Sequence, residues 1–521
     1  MTLPKSENNM QKNNRLPTQP RDDRIHAGHL ENVHPERWQN PQPPRVYNLV
    51  VVGAGPAGLV AARGAAALGA KVALVERGLI GGDCLNVGCV PSKTLIRTSR
   101  IYADMRAARS YGAQEPVSVD VNFQMAMERM RSVRARIGKS DSAARLREEG
   151  VDVYFGEARF TGRTSVVVDG KTLHFKKALI ATGARPMIPD VAGLNDVGYL
   201  TNETVFDLAE LPRRLLVVGG GPLGCELAQA FCRLGSKVII VQDEPMFLPG
   251  EERDAAQLLS DSLARDGIDI RLNTTFESVR IEGTTKIATL TSADYKSTVE
   301  CDEILVGAGR VPNVENLNLE SAGVHYDLVR GISVNDFLQT TNKRIYAAGD
   351  VCLEHKFTHT ADASARIAVQ NALFLGRKRL SSLTIPWCTY TDPEIAHVGM
   401  YVREAMGKKI AMSTITILMH DVDRAVTDGE DEGFVKIHLR SGTDHILGAT
   451  MVARHAGEMI NGVTLAIERG IGLRALSKVI HTYPTQAEAF KKAADAYNRT
   501  RLTPAITFLS NRWLAWCRGR P

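Results

Sequence analysis

Two cysteines carry the most specific chemical signal in this chain. Cys84 and Cys89 lie in the run GGDCLNVGCVPSK, residues 81–93, with four residues between the two thiols. This spacing suggests a disulfide that cycles with its dithiol form. The alternatives are a structural disulfide, two packed core thiols, or half of a zinc site. A zinc site needs about four nitrogen or sulfur ligands, and the sequence offers no second cysteine pair or Cys/His cluster at ligand spacing. The other cysteines are scattered, at Cys225, Cys232, Cys301, Cys352, Cys388 and Cys517.

The bulk properties exclude several classes of protein. At 521 residues the chain is expected to form about three domains. The net charge of +6 is small for this length, and no dense Lys/Arg block occurs, so nucleic-acid binding is not expected. No apolar stretch approaches the roughly 20 residues of a spanning helix, and no signal peptide is predicted. We therefore expect a cytoplasmic protein, and in that compartment a disulfide is usually catalytic.

A nucleotide-binding pattern precedes the cysteines. Residues 46–52 form a β-branched run that leads into Gly53, Gly55 and Gly58 and then into an alanine-rich helical stretch. The glycines permit a tight turn and close backbone approach, and the helix N-terminus offers amide donors to a pyrophosphate. A second strand ends at Glu76, whose carboxylate can accept hydrogen bonds from a ribose diol. With strand, helix and acid in register, the pattern is strong.

The same pattern returns further along the chain. Residues 215–218 precede Gly219, Gly221 and Gly224, then a helix and the strand 237–241. The position equivalent to Glu76 is Gln242, a neutral residue that removes repulsion against a 2′-phosphate. Asp243 follows it, however, and no arginine does. Two dinucleotide sites are predicted, and the choice between NADH and NADPH stays open.

A flavin between a nicotinamide and a disulfide is chemically sensible, because a flavin can pass both electrons of a hydride to a disulfide. Lys93, on the helix expected after Cys89, is predicted to lie near the flavin ring and to pair with Glu226 on the second module's helix. The alternative is that both are surface charges. A thiolate at a helix N-terminus near a cation would have a lowered pKa and react faster.

Together these segments resemble the pyridine nucleotide-disulfide oxidoreductases of the glutathione reductase, dihydrolipoyl dehydrogenase and mercuric reductase type. Further matching runs are ATG at 181–183, GAGRVPN at 307–313 and YAAGD at 346–350. The resemblance implies FAD and NADPH or NADH as cofactors, with Cys84 attacking the substrate and Cys89 next to the flavin. The predicted cofactor-binding residues are Gly53, Gly55, Gly58, Glu76, Lys93, Thr182, Gly183, Gly219, Gly221, Gly224, Glu226, Gly309, Arg310, Gly349, Asp350 and His359.

The resemblance also implies the architecture. The expected fold class is α/β, with two Rossmann-like dinucleotide-binding domains and an α+β C-terminal dimerisation domain that builds a homodimer. The predicted boundaries are a disordered leader at 1–44, an FAD-binding domain at 45–195 and 313–383, an NAD(P)-binding domain at 196–312, a dimerisation domain at 384–497, and a basic aromatic tail at 498–521.

The segment expected to complete the partner's active site departs from the common family pattern. Glutathione reductase and dihydrolipoyl dehydrogenase have a histidine immediately before a proline, held by a later glutamate. Here Tyr483 stands before Pro484, with Glu488 after it, and His481 lies two residues earlier. Mercuric reductases have a tyrosine at this place as a metal-site residue, and Tyr199 matches another tyrosine near their redox pair; packing is the alternative for Tyr199. The predicted metal-substrate contacts are Cys84, Cys89, Tyr199 and Tyr483, with no structural metal.

Features of many mercuric reductases are missing. Residues 1–44 contain no cysteine, so the N-terminal CxxC metal-binding domain is absent from that stretch, and the tail holds only Cys517 in place of a vicinal pair. The leading hypothesis is an NAD(P)H-dependent reductase of a thiol-reactive acceptor, with mercuric ion first. Dihydrolipoyl dehydrogenase with His481 as base, and a redox-sensing or membrane-associated flavoprotein, are the alternatives.

The tail itself suggests an interaction. Thr503 and Pro504 are predicted to begin a short helix. Ile506, Leu509, Trp513 and Trp516 would then share one face. This helix is expected either to dock on its own protein or a dimer partner, or to make weak contact with an anionic membrane surface through residues 503–521.

Overall fold

The computed structural model describes residues 23–114, 119–293 and 295–519. Within these ranges the chain forms three sheets of four or more strands. A helix-rich stretch at 82–148 lies between two strands of the first sheet, and part of it packs against the unit that contains the second sheet. Short 3-10 turns lie at 108–111, 139–141, 205–207, 349–351, 380–382 and 419–421.

The region before the first glycine run is partly folded. Helix α1 (Asp23–Val33) buries His29 to 2% exposure and Val33 completely. The Nε2 atom of His29 lies 2.9 Å from Oδ1 of Asn86. The predicted disordered leader is therefore wrong for residues 23–44, because side chains on one face of α1 are covered by the body of the protein. Residues 1–22 lie outside the described part of the chain.

The first nucleotide module follows. Its central strand, Tyr47–Val52, pairs in parallel with both of its neighbours, 72–76 and 171–180. Across the sheet, the strands lie in the order 151–155, 72–76, 47–52, 171–180, 165–168 and 159–162. Hydrophobic side chains of the strands are buried on both faces, as parallel sheets require. Its elements are β1 (Tyr47–Val52), α2 (Pro56–Ala67), β2 (Val72–Glu76), α3 (Gly82–Asn86), α4 (Cys89–Ala107), α5 (Phe123–Gly138), α6 (Ala143–Glu148), β3 (Val151–Phe155), β4 (Arg159–Gly162), β5 (Ser165–Val168), β6 (Lys171–Ile180) and β7 (Ala184–Pro186).

The second nucleotide module repeats this strand-turn-helix-strand unit. Its parallel sheet has the order β10-β9-β8-β14, and a three-stranded antiparallel sheet, β11-β12-β13, is inserted before the last strand. Its elements are α7 (Leu194–Val197), β8 (Arg214–Val218), α8 (Pro222–Leu234), β9 (Lys237–Val241), α9 (Arg253–Arg265), β10 (Asp269–Arg271), β11 (Thr274–Glu282), β12 (Thr285–Ser292), β13 (Lys296–Cys301) and β14 (Glu303–Val306).

The chain then returns to the first module. Strand β18 pairs in parallel with β6 and extends the first sheet, and α11 packs against α2. Residues on both sides of the second module therefore build one hydrophobic core. The elements of this return are β15 (Arg310–Pro312), α10 (Leu319–Ala322), β16 (Tyr326–Asp327), β17 (Gly331–Ile332), β18 (Ile345–Ala347) and α11 (Thr358–Leu373).

A five-stranded antiparallel sheet follows, in the order β19-β20-β23-β22-β21, with helices packed on it. The predicted fold class, α/β with an α+β C-terminal domain, is confirmed. The elements are β19 (Pro386–Thr389), β20 (Glu394–Gly399), α12 (Val402–Gly407), β21 (Met412–Leu418), α13 (Asp423–Asp428), β22 (Phe434–Arg440), β23 (Ile446–Ala453), α14 (Ala456–Glu468), α15 (Leu473–Leu476) and α16 (Glu488–Thr500).

The predicted tail helix is present as α17 (Pro504–Cys517), and the Thr503 hydroxyl accepts a hydrogen bond from the Ile506 amide at its start. None of its described side chains is buried. Docking of this helix on its own chain, one of the predicted arrangements, is therefore wrong for the described residues. No helix within 23–114, 119–293 and 295–519 has the length and apolarity needed to cross a membrane.

Candidate active site

A cavity of 410 Å³ opens where the first glycine turn, both redox cysteines and the start of α11 meet. The carboxyl ends of β1 and β6 and the N-termini of α2 and α4 border it, so the chain forms it at the edge where open parallel sheets bind ligands. Ten of the predicted residues line it: Gly53, Gly55, Glu76, Cys84, Cys89, Thr182, Gly183, Arg310, Gly349 and Asp350.

The first glycine turn is shaped for close backbone approach. Gly53 has a φ of 102°, and a Cβ there would lie 2.4 Å from the Ala181 carbonyl oxygen. A Cβ on Gly58 would lie 1.8 Å from the Gly53 oxygen. No side chain caps α2, so its first amides face the cavity free to bind an anion. Glu76 accepts from the Ala54 amide at 2.7 Å, and its remaining lone pairs can accept from a ribose.

The second glycine turn copies this geometry with a different side chain. Gly219 has a φ of 105°, and a Cβ on Gly224 would lie 2.1 Å from the Gly219 oxygen. Gln242 accepts from the Gly220 amide at 2.7 Å, the same distance and the same bond as in the first turn. The amide side chain therefore supports the loop as Glu76 does but brings no negative charge. The two modules therefore share the hydrogen bond from the glycine turn to the residue after the second strand, as well as the order of their elements.

The two thiols lie on consecutive helices. Cys84 is in the short α3 and Cys89 is the first residue of α4; between them, a Cβ on Gly88 would lie 2.8 Å from the Asp83 oxygen. A hydrogen bond from Cys84 and the charge of Lys93 lower the pKa of Cys89 to about 6. The same hydrogen bond, with burial, raises the pKa of Cys84. The reduced pair therefore holds its thiolate on Cys89 at neutral pH, stabilised by the start of α4.

Lys93 connects three parts of the molecule. Its Nζ lies 2.7 Å from Oε2 of Glu226, so the predicted ion pair forms. Glu226 is 4% exposed, and its other oxygen accepts from the Tyr390 amide at 2.8 Å. The ammonium also lies 4.6 Å from the centroid of the Tyr390 ring. A buried carboxylate with both oxygens committed fixes the cation one helical turn from Cys89.

The helix α11 approaches the cysteines through a residue that the sequence did not single out. Thr358 Oγ1 lies 3.3 Å from Cys89 Sγ, and no side chain caps this helix. The predicted residue, His359, points elsewhere: its Nε2 lies 2.7 Å from the Pro386 carbonyl oxygen. It lines a second cavity, of 350 Å³, with Trp387, Cys388 and Tyr390 among its neighbours.

Several charged residues around the first cavity were not predicted from the sequence. Arg310 forms an ion pair with Asp83, donates to the Ala184 carbonyl at 2.7 Å, and lies 3.9 Å from Asp350. Burial raises the pKa of Asp350 against the effect of Arg310. Glu203 and Lys356 are further charged residues of the lining. Arg310 thus links the loop before Cys84 to the second half of the first module, a contact over 227 positions that no local pattern indicates.

The remaining predicted residues do not reach the cysteines of their own chain. Tyr483 is 65% exposed, and its hydroxyl donates to Asp423 at 2.9 Å, which raises the pKa of the phenol. His481 Nε2 lies 3.2 Å from the Leu476 carbonyl oxygen. Glu488 begins α16, 3.9 Å from Lys492. The predicted roles of these three residues require the second protomer and stay predictions.

Tyr199 is half-buried against the hydrophobic cluster of the second module, so the packing alternative describes its position. Of the predicted metal contacts, Cys84 and Cys89 line the cavity of their own chain and Tyr199 does not. The contact from Tyr483 depends on the second protomer and stays a prediction. No group of three or more His, Cys, Asp or Glu side chains that could hold a metal ion is found among the described residues.

The residues present fit an FAD in the first site and a nicotinamide dinucleotide in the second. Each site has an uncapped helix start, a glycine where a Cβ would collide, and a terminal hydrogen-bond acceptor. Asp350 is half-buried at the cavity wall with free acceptor capacity. The sites thus supply the amides and the polar groups that pyrophosphate and ribityl or ribose hydroxyls need.

Comparison with known families agrees with this site. The model of the pyridine nucleotide-disulphide oxidoreductases matches residues 47–370, and the dimerisation domain of the same family matches residues 385–494. The latter match supports a homodimer. Members of the family use FAD and NAD(P)H.

Relatives of two activities are similar to this chain. The mercuric reductase of Staphylococcus aureus is 34% identical over 453 residues, which cover 87% of this chain and 83% of the relative. The dihydrolipoyl dehydrogenase of Thermus scotoductus is 33% identical over 465 residues, covering 87% and 98%.

Solved structures of flavoprotein reductases have the same fold. The Cu(II) complex of the HOCl-induced flavoprotein disulfide reductase RclA from Escherichia coli is 28% identical, with a TM-score of 0.77 and coverage of 85% of this chain and 98% of that one. LpdA from Mycobacterium tuberculosis is 30% identical, with a TM-score of 0.79 and coverage of 86% and 99%. On the glycine turns, the redox pair and these matches, the chain belongs to the class I pyridine nucleotide-disulfide oxidoreductase family.

Proposed function

We propose that this protein is an FAD-dependent reductase that takes hydride from NADH and uses Cys84 and Cys89 to reduce a thiol-reactive acceptor, with mercuric ion as the first candidate. The observation that carries the proposal is the thiol pair at the cavity wall, with the thiolate held on Cys89 beside Thr358 and Lys93. A reducing cytoplasm suits such a pair.

The residues divide the work as follows. A bound flavin supplies the two-electron relay between a nicotinamide and the disulfide. Cys89, whose thiolate is stabilised by Lys93, would receive the two electrons, and Cys84, whose pKa is raised, would contact the acceptor. With mercuric ion, NADH and Hg(II) give NAD⁺, a proton and Hg(0), so two electrons leave the nicotinamide and two reach the metal. The thiolates serve as the soft ligands that Hg(II) prefers.

The segment with Tyr483 supports a metal acceptor over a disulfide. A phenol with a pKa near 10 is a poor general base at neutral pH, and the Asp423 contact raises the pKa of Tyr483 further. In a homodimer we place this segment of one protomer at the cavity of its partner, where a phenol oxygen can bind an ion without serving as base. The two mercuric reductase relatives, each 34% identical to this chain, support mercuric ion as the first candidate acceptor.

The preference for NADH rests on the second glycine turn. Gln242 takes the place of the ribose-binding acid, and Asp243 and Glu244 follow it. Arg271, on the adjacent strand β10, is held by Asp269 at 2.8 Å. A 2′-phosphate with roughly two negative charges would meet carboxylates here and no free guanidinium, so repulsion disfavours NADPH.

Anaerobic turnover with NADH tests the acceptor. We expect Hg(II) in excess thiol to accelerate NADH oxidation and to release mercury vapour, and Tyr483→Phe to slow the metal reaction while Tyr295→Phe, an exposed tyrosine on the second module, leaves it unchanged. Cu(II), bound in the RclA structure, belongs in the same panel. If NADH oxidation is independent of every metal while a disulfide such as lipoamide is still reduced, the metal assignment is wrong.

A second candidate, dihydrolipoyl dehydrogenase, is favoured by the relative from Thermus scotoductus. It requires His481 to act as the base. Because His481 is oriented by the Leu476 carbonyl, we expect His481→Ala to leave thiol chemistry unaltered. A large loss of dihydrolipoamide oxidation in His481→Ala, with Hg(II) turnover absent in the parent, would establish this candidate instead.

A further inference from the structure

The helix α17 (Pro504–Cys517) exposes large apolar side chains that nothing in its own chain covers. Trp516 is 72% exposed, Leu509 65% and Trp513 62%. The two tryptophan rings lie 5.1 Å apart at their centroids. Ile506, Phe508 and Leu514 are also exposed. A contiguous apolar helix surface of this kind marks an interaction site.

The net positive charge of the protein is concentrated in residues 498–521, which include this helix. Residues 498–521 contain five arginines and no acidic residue, whereas residues 1–497 contain 59 basic and 58 acidic residues, a net charge of +1. Nearly all of the net charge of +6 therefore lies in the tail. A second copy of this chain would present a body of net charge +1 and an equally positive tail, so net charge provides no attraction between the tail and a second copy.

The length of α17 restricts how it meets a bilayer. Fourteen helical residues span about 21 Å, less than the hydrocarbon core of about 30 Å. Tryptophans and arginines together are typical of helices that lie in the interface, where the rings reach the acyl boundary and the guanidinium groups meet lipid phosphates.

We propose that α17 is a docking surface for an anionic phospholipid membrane and that it holds the enzyme reversibly at the bilayer surface. The Trp513–Trp516 side of the helix enters the interface, and Arg512 and Arg518 contact the headgroups. The redox site is separate, so this inference is independent of the acceptor and of the nicotinamide.

Vesicle binding by the full-length holoenzyme tests the proposal. We expect co-sedimentation with vesicles of phosphatidylcholine and phosphatidylglycerol in equal parts, weak binding to phosphatidylcholine alone, and loss of binding at high salt. Reversal of two tail charges in Arg512→Glu/Arg518→Glu should lower the partition coefficient at least about tenfold, since each arginine contributes on the order of 1 kcal/mol near such a surface. The matched control, Arg159→Glu/Arg377→Glu, makes the same charge change on exposed residues elsewhere and should bind as the parent does.

A second readout reports on the apolar side. The chain has four tryptophans, and quenching by brominated lipid should be lost in Trp513→Ala/Trp516→Ala while NADH turnover is kept. The proposal is overturned if the tail variants and the control bind vesicles equally, or if neutral and anionic vesicles bind alike. It is also overturned if the tryptophan variant changes the oligomeric state by light scattering without any vesicle binding by the parent, because the occupant is then a second copy.

Discussion

Cys89 and Cys84 differ in reactivity because the hydrogen bond between them lowers the pKa of Cys89 and raises that of Cys84. The thiolate of Cys89 is stabilised by a hydrogen bond from Cys84 and by the positive charge of Lys93. Since its folded pKa is lowered, the thiolate is present above about pH 6 and is lost as the pH falls through that value. Two chemically identical side chains thereby acquire separate roles.

We expect alkylation of the reduced enzyme by iodoacetamide, followed by peptide mass spectrometry, to show a midpoint near pH 6 at Cys89. Lys93→Met should move this midpoint upward by roughly one unit, because one nearby opposite charge is lost. Lys237→Met, an exposed change at the start of β9, should leave it unchanged. An unchanged midpoint in Lys93→Met would show that the cation does not stabilise the thiolate.

The second residue-scale prediction concerns the nicotinamide. Asp243→Arg should raise the ratio of NADPH to NADH in kcat/KM at least about tenfold, since a repulsive contact becomes an attractive one. Titration calorimetry with NADP⁺ on the oxidised enzyme measures binding apart from turnover. Asp261→Arg, an exposed change on α9, should alter neither quantity. Tighter binding of NADPH than NADH by the parent would contradict the assignment.

At the scale of single elements, the first glycine turn leaves no space for a side chain at Gly58. Gly58→Ala places a Cβ 1.8 Å from the Gly53 oxygen, so α2 must shift from β1. We expect loss of bound FAD, measured by flavin absorbance after gel filtration, and a lower melting temperature. Gly64, on the same helix, has nothing within 4 Å of its Cβ position. Gly64→Ala should therefore stabilise the protein by about 0.5–1 kcal/mol, and if both variants behave alike the collision is not the cause.

Helix α1 makes the stability of the protein depend on acidic pH through His29, which contacts Asn86 at the end of the helix that carries Cys84. Burial lowers the pKa of His29 to about 4 from 6.5, so the unfolded chain binds the extra proton first and stability falls as the pH drops below 6.5. The loss is on the order of 2 kcal/mol between pH 6.5 and 5. Thermal unfolding of His29→Gln should lack this component, and His325→Gln, an exposed change, should retain it. Equal pH profiles of all three proteins would refute the linkage.

At the scale of the whole molecule, the second module is tied to the C-terminal sheet by a buried carboxylate. Glu251 accepts from Trp387 Nε1 at 3.1 Å and from the Tyr401 hydroxyl at 2.7 Å. Glu251→Ala leaves two donors without an acceptor and should cost about 2–4 kcal/mol. Calorimetry should show the transition lowered or split, and Glu282→Ala, on an exposed edge, should not change it.

Local patterns predicted the parts of the site that local sequence determines. The strands, both glycine turns and the Lys93–Glu226 pair follow from short motifs and from helix positions. Thr358, Arg310–Asp83 and α1 could not be predicted in their contacts, because their partners lie far away in sequence and their residue types are common. Tyr483 and Glu488 belong to a surface that only a second protomer can complete.

One carboxylate sets a rule for exchanging parts of this enzyme. Glu226 lies on the second module, yet it binds Lys93 of the first module and the amide of Tyr390, which directly follows strand β19 of the C-terminal sheet. A chimera that takes this module from another reductase must import an acid at the same helix position. Otherwise the cation behind the thiolate loses its anchor, and a graft intended to change the electron donor would also alter the chemistry of the cysteines.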